Sequence, residues 1–261
     1  MKVLVTGFDP FGGERVNPAY EAVKALPDTL DGAQIYKREL PTAFARSAAA
    51  LEGYLCELQP DIMLCVGQAG GTPAVRVERV AINLADARIP DNDGAQPLDE
   101  PLRADGDAAY FSTLPVRAMV QAVRAAGLPC SVSYTAGTYV CNAALYNALY
   151  LAAKRFPGLR AGFVHVPYLP AQVADKDTLT PCMPLPAIVQ SLTAALQAAI
   201  AGVEISDPAA GPLQKTKNAA LSGGIFDFYY LYWGAPPPST GMGQCRMYHA
   251  NSAEEMLHVR G

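Results

Sequence analysis

The sequence predicts an α/β fold: a single-domain α/β/α sandwich around a mostly parallel twisted sheet, followed by a C-terminal tail to which no structure is assigned. Three observations predict it. Short β-branched or apolar runs ending in glycine alternate with longer stretches of helical period, the order that lays parallel strands between layers of helices. The 261 residues are 51% hydrophobic and only 17% charged, enough to bury one sizeable core and better suited to one domain with an appendage than to two full domains. After about Val203 the alternation stops.

Lys2 to Thr6 is a β-branched strand that ends at Gly7. Asn17 then supplies an N-cap and Pro18 a first-turn proline for a helix through Leu26, since proline lacks only an N–H that a first turn leaves unbonded. A helix is predicted from about Thr42 to Leu58, with Phe44, Leu51, Leu55 and Leu58 on one stripe, leading into the strand Ile62 to Val66 and a glycine-rich turn. Val75 to Leu84 alternates as a strand. Ile89 to Gly94 is a dense turn cluster opening a polar, proline-containing loop. There follow a helix over Val116 to Ala126, a strand over Cys130 to Thr135 and an Ala- and Leu-rich helix over Cys141 to Arg155. A buried strand over Ala161 to Val166 and a last helix over Pro186 to Ala201 complete the domain.

Asp207, Pro208, Gly211 and Pro212 read as a linker, placing a boundary near residue 205: a domain over 1–205 and a linker-like, aromatic-rich extension over 206–261. Phe226 to Trp233 packs six aromatics into eight positions. Such a patch docks on the domain, meets a partner or is poorly ordered, and the sequence leaves all three open.

Composition removes several function classes. A net charge of -4, with the 20 Lys and Arg scattered along the chain, gives no footprint for nucleic acid. The apolar run at Val3 to Val5 is too brief for a signal-peptide core, and no later run is of bilayer length, so neither export nor a membrane partner is expected. The expected location is the cytoplasm. There the six cysteines (Cys56, Cys65, Cys130, Cys141, Cys182 and Cys245), none in a CxxC pair, are reduced thiols. No HExxH occurs and the domain has one histidine, so no metal site is expected.

That histidine is His165; His249 and His258 both fall in the extension. It sits near the carboxyl end of a buried strand, where open α/β sheets collect ligands, although a core histidine satisfied by backbone would look the same. Cys141 opens a helix, whose free N–H groups and positive end favour negative charge on sulfur and can bind a developing oxyanion; otherwise it is a small buried apolar residue. Glu78 alternates onto one strand face with Arg76. It either orients an imidazole or pairs with Arg76 or Arg79 as an ordinary strand-surface acid. The spacing of the three does not choose.

Four segments together resemble the class I pyroglutamyl peptidases (pyrrolidone-carboxylate peptidases): VLVTGFDPFGGERVNPA at 3–19, GQAGGTPAVRVERVAIN at 67–83, SYTAGTYVCNAALY at 133–146 and GFVHVPYLP at 162–170. LPTAF at 40–44 and DARIPDNDGAQP at 86–97 are similar too, and the likeness runs from Met1 to about Ala201. The resemblance implies a cysteine peptidase with a triad of Cys141, His165 and Glu78, no metal or organic cofactor, peptides with N-terminal pyroglutamate as substrates, and a homo-oligomer, often a tetramer. It further implies that Phe8, Phe11, Ile89, Tyr139 and Val140 line an apolar slot for the lactam ring. Gln68 and Asn17 would give polar contacts and loop order, and Arg88 would assist the Cys141 N–H at the oxyanion. A lactam is compact and uncharged, so such a pocket needs apolar walls and no acid to receive an α-amine; an ordinary N-terminus would lose hydration without gaining a counter-charge.

Two features depart from that family: Arg76 stands where a small hydroxyl residue is expected, and nothing after about residue 205 matches. They keep open an inactive pyroglutamyl- or peptide-binding protein of the same fold. A phosphate site in GFDPFGG is weak, because GxGxxG and GK[ST] are both missing. An acyl thioesterase would fit the three residues alone but not the slot.

Overall fold

A computed structural model describes residues 1–176 and 179–203 of the chain. The predicted extension over 206–261, with its aromatic run, lies outside the described residues.

In chain order the elements are β1 (Lys2–Phe8), α1 (Pro18–Lys24), β2 (Thr29–Leu30), β3 (Ala33–Leu40), α2 (Phe44–Leu58), β4 (Ile62–Gln68), β5 (Val75–Glu78) and β6 (Val80–Ile82). They continue with β7 (Ala109–Phe111), α3 (Val116–Ala125), β8 (Cys130–Ser133), α4 (Val140–Lys154), β9 (Arg160–Val166), α5 (Pro170–Val173) and α6 (Leu185–Ala201). The main sheet runs β2-β3-β1-β4-β9-β5-β8. It is parallel from β3 through β9 and between β5 and β8, and antiparallel at β2/β3 and at β5/β9.

Strand alternation sorts the core into two layers. Val3 and Val5, Ile62, Leu64 and Val66, Val75 and Val77, and Val164 and Val166 face one way, into a cluster shared with residues of α1, α3 and α6. Leu4 and Phe8, Met63 and Cys65, and Ala161 and Phe163 face the other way, against α2 and α4. The result is the predicted sandwich, with helices on both faces of a mixed but mostly parallel sheet.

Three local expectations change. The strand predicted over 75–84 breaks at Arg79, whose N–H donates to Ser133 O and whose carbonyl accepts from Ser112 N. β5 therefore stays in the main sheet, while β6 pairs with β7 in a separate two-stranded sheet. The sequence also assigns no strand at β3, since Lys37, Arg38 and Glu39 break its apolar pattern; it pairs in register with all of β1 and lies one strand from the sheet edge, where polar side chains reach water. Finally, α2 begins at Phe44 rather than Thr42.

Candidate active site

β1, β4 and β9 all point their carboxyl ends to the same edge of the sheet, and the residues of interest collect there. Register fixes who meets whom. One row across the sheet runs Thr6, Cys65, Phe163, Glu78 and Ser133; the next carries Gly67, His165 and Arg76 side by side on β4, β9 and β5. Cross-strand partners share a face, so Glu78, His165 and Arg76 all lie on the side covered by α4.

His165 and Glu78 are both buried, and His165 Nδ1 lies 2.8 Å from Glu78 Oε1. The partner of Glu78 is thus the imidazole, not Arg76 or Arg79. Arg79 instead stands over the Phe111 ring. With Nδ1 committed to the carboxylate, the ring turns Nε2 outward. Phe163 packs on the imidazole at 4.7 Å between ring centroids and limits its rotation.

Cys141 is the second residue of α4, whose N-cap, Tyr139, makes no side-chain cap bond and whose first turn holds no acid. The first N–H groups of the helix are therefore left for another acceptor. Gly67 makes room for the sulfur: a Cβ at that position would fall 2.9 Å from Cys141 Sγ and 2.6 Å from Phe163 Cζ. Because Gly67 is the register partner of His165, the thiol and the imidazole are neighbours across one strand spacing. Burial works against charge on His165, but the Cys141 sulfur beside it and the Glu78 carboxylate outweigh burial and raise its pKa from 6.5 to about 9. In contrast, burial pushes the thiols of Cys65 and Cys130 up to about 12 and about 11, so both stay protonated.

Aromatic residues also adjoin Cys141. Tyr139 packs 6.2 Å from Phe11 and edge-on at 5.5 Å to Phe44, and its hydroxyl donates to Pro90 O. Burial first, then Asp91 and Cys141, push Tyr139 up to about 12, so it remains a neutral phenol. Ile89 is 43% exposed at the rim, whereas Phe8 and Val140 lie deeper, buried in the cluster under α4. Asn17 spends its side chain on order: Oδ1 accepts from Ala19 N and Nδ2 donates to Asp9 O. Gln68 Oε1 accepts from Gln172 Nε2. Arg88 is exposed and makes no hydrogen bond or ion pair with the described residues.

Several contributors escape sequence reasoning. Asn142, buried beside Cys141, accepts from Ile82 N and donates to Ile82 O and Leu84 O, tying the start of α4 to the segment after Glu78. Asp91 accepts from Phe44 N, Asp93 N and Ala95 N, which fixes the loop carrying Ile89 to the start of α2. Phe44, Phe163 and Gly67 complete the walls. Only their adjacency in the motifs hinted at them, because each acts through a tertiary contact. Among the described residues, no three His, Cys, Asp or Glu side chains cluster as metal ligands, and no helix is long and apolar enough to cross a membrane.

Residues 1–202 match the pyroglutamyl peptidase family. A pyrrolidone-carboxylate peptidase of Streptococcus pyogenes serotype M12 is 56% identical over 207 residues, which are 79% of this chain and 96% of that one. Among solved structures, pyroglutamyl peptidase I of Bacillus amyloliquefaciens is similar at 46% identity and a TM-score of 0.74, covering 77% of this chain and 97% of its own. The pyrrolidone carboxyl peptidase of Thermococcus litoralis is similar at 40% identity and a TM-score of 0.76, covering 79% and 99%. With sequence, fold and a histidine held between a thiol and a carboxylate in agreement, the chain belongs to the pyroglutamyl peptidase family.

Proposed function

We propose that the protein is a cysteine exopeptidase that hydrolyses the bond after an N-terminal pyroglutamyl residue, with Cys141 as nucleophile, His165 as acid and base, and Glu78 as the group that orients His165. The observation that carries this reading is the 2.8 Å contact of His165 with Glu78 on the face where α4 presents Cys141. His165 holds a proton that Cys141 gives up, and the sulfur attacks the pyroglutamyl carbonyl. Negative charge developing on the carbonyl oxygen falls where the first N–H groups of α4 are unbonded, which lowers the barrier. Collapse of the tetrahedral intermediate breaks the C–N bond as His165 protonates the departing amine. A water molecule, deprotonated by His165, then cleaves the thioester and returns Cys141.

Phe11, Tyr139 and Ile89 supply apolar walls for the lactam, with Phe8 and Val140 beneath them. Gln68 and Asn17 order the adjoining loops, and family resemblance gives the exposed Arg88 the role of assisting the Cys141 N–H at the oxyanion. Asp91, the carboxylate beside this wall, is already taken up by the N–H groups of Phe44, Asp93 and Ala95, so an ordinary N-terminus is rejected as an unpaired, desolvated ammonium. Residues 1–205 constitute the catalytic part. The described cysteines are all free, which fits a reducing cytoplasm. Family resemblance supports a homo-oligomer, a tetramer, as the assembled form.

The test is release of a chromogenic amine from pyroglutamyl and from free-amine prolyl substrates. Wild type should cleave only the former. Cys141→Ser, folded by circular dichroism, should lose at least about 1,000-fold of that rate. A folded wild type that binds pyroglutamate without cleaving either substrate would establish a binding protein instead.

A further inference from the structure

Arg76 lies directly opposite His165 in the β5/β9 register, on the same face and partly buried. Its guanidinium forms no hydrogen bond or ion pair with any described residue, and the acid two positions along, Glu78, is committed to His165. A cation with no partner among the described residues, beside a catalytic histidine, lacks the usual reason for a strand-surface arginine. Its position across the sheet supplies another.

The strand order β1-β4-β9-β5 sets out the site from one side to the other. First comes the aromatic wall of Phe11 and Tyr139, next Cys141 over Gly67, then His165, and last Arg76. With the lactam against the wall and its carbonyl at Cys141, the scissile nitrogen lies at His165, and the residue it belongs to continues toward β5. Adjacent strands are about 4.8 Å apart, so a group two to four bonds beyond that nitrogen comes within reach of an arginine side chain on the next strand. Guanidinium recognises carboxylate through paired N–H donors, and among the described residues no acid pairs with it.

We infer that Arg76 is a specificity residue that binds a carboxylate carried by the residue after pyroglutamate. This rests on the peptidase reading above. Two sources present that chemistry: the α-carboxylate of a pyroglutamyl dipeptide and an acidic side chain at the same position. The contact exists before bond cleavage as well as during it, so it acts on KM more than on kcat.

Three peptides separate the cases: pyroglutamyl-alanine, pyroglutamyl-alanine amide and pyroglutamyl-glutamate amide. Wild type should favour at least one of the two carboxylate-bearing peptides over the neutral amide by about fivefold in kcat/KM, through KM, and 0.5 M salt should erase the preference. Arg76→Gln should bring the ratio to about that of the salt-screened enzyme, while Arg76→Lys should keep most of it. Any general effect of the substitution on His165 or on folding cancels in the ratio, because all three peptides use the same triad. The inference is overturned if wild type shows no preference for either carboxylate, or if the preference survives unchanged in Arg76→Gln. If wild type cleaves none of the three, it is the peptidase reading that fails.

Discussion

In the proposed mechanism His165 is the residue whose protonation sets the chemistry. Its pKa is raised above the unfolded value of 6.5 to about 9, so the fold binds the proton more tightly than the unfolded chain does. That contribution to stability is complete below about pH 6.5 and is lost as pH rises through about 9. Activity follows the same limb, because a neutral imidazole has no proton for the departing amine. Glu78→Gln keeps a hydrogen-bond acceptor at Nδ1 but removes the charge. It is expected to move the alkaline limb of kcat/KM down by roughly one pH unit and to lower kcat by about tenfold or more. A pH–rate profile of the two proteins checks this, and coincident limbs would show that Glu78 does not tune His165. The candidates are legible in the motifs, yet on the residues alone Glu78 reads more commonly as a strand-surface acid paired with Arg76 or Arg79, and the family resemblance is what assigns it to His165. The contact itself comes from the register of β5 against β9, an antiparallel pairing between strands 87 residues apart at the two side chains.

At the scale of elements, the site depends on how closely helices approach the sheet. Gly7 lies on β1 where α1 crosses: a Cβ there would fall 2.6 Å from the Tyr20 Cα and 2.7 Å from its backbone nitrogen. Backbone atoms cannot rotate aside as a side chain tip can. Gly7→Ala is therefore expected to cost about 3 kcal/mol, seen as a lower urea midpoint at unchanged m-value. A midpoint within error of wild type would mean that α1 is free to shift. The start of α2 shows why some of this was not legible. Its N-cap, Ala43, offers no side-chain acceptor, and the Phe44 N–H bonds instead to Asp91, 47 residues on. In sequence the Asp91 region is only a turn cluster; that its carboxylate closes a helix and braces the aromatic wall is a tertiary fact. The Asn17 and Pro18 start of α1, by comparison, is local, and the side chain caps Ala19 as its identity predicts.

For the molecule as a whole, the family match ends at residue 202 and α6 at Ala201. Ile188, Leu192, Ala195, Leu196 and Ala199 of α6 are buried in the same cluster as α1 and α3, so the described residues already close both layers over the sheet. A chain ended at Val203 is expected to keep Tm within about 2 °C of the full chain and to retain its pyroglutamyl-releasing activity and oligomeric state. Calorimetry and light scattering of the two proteins decide this. A large fall in Tm would place part of the core beyond the predicted boundary at residue 205.

By itself the sequence determined the α/β class and most of the elements, because strand alternation and helix starts are local properties of the chain, and its motifs, through the family they resemble, singled out Cys141, His165 and Glu78 as candidates. It could not determine that Val75 to Leu84 divides between two sheets, that β3 joins β1 despite its charges, or that Gly67 clears space for the Cys141 sulfur. Those outcomes depend on which strands become neighbours and how close their helices come, and distances across a sheet are set by packing of the whole core rather than by any one segment.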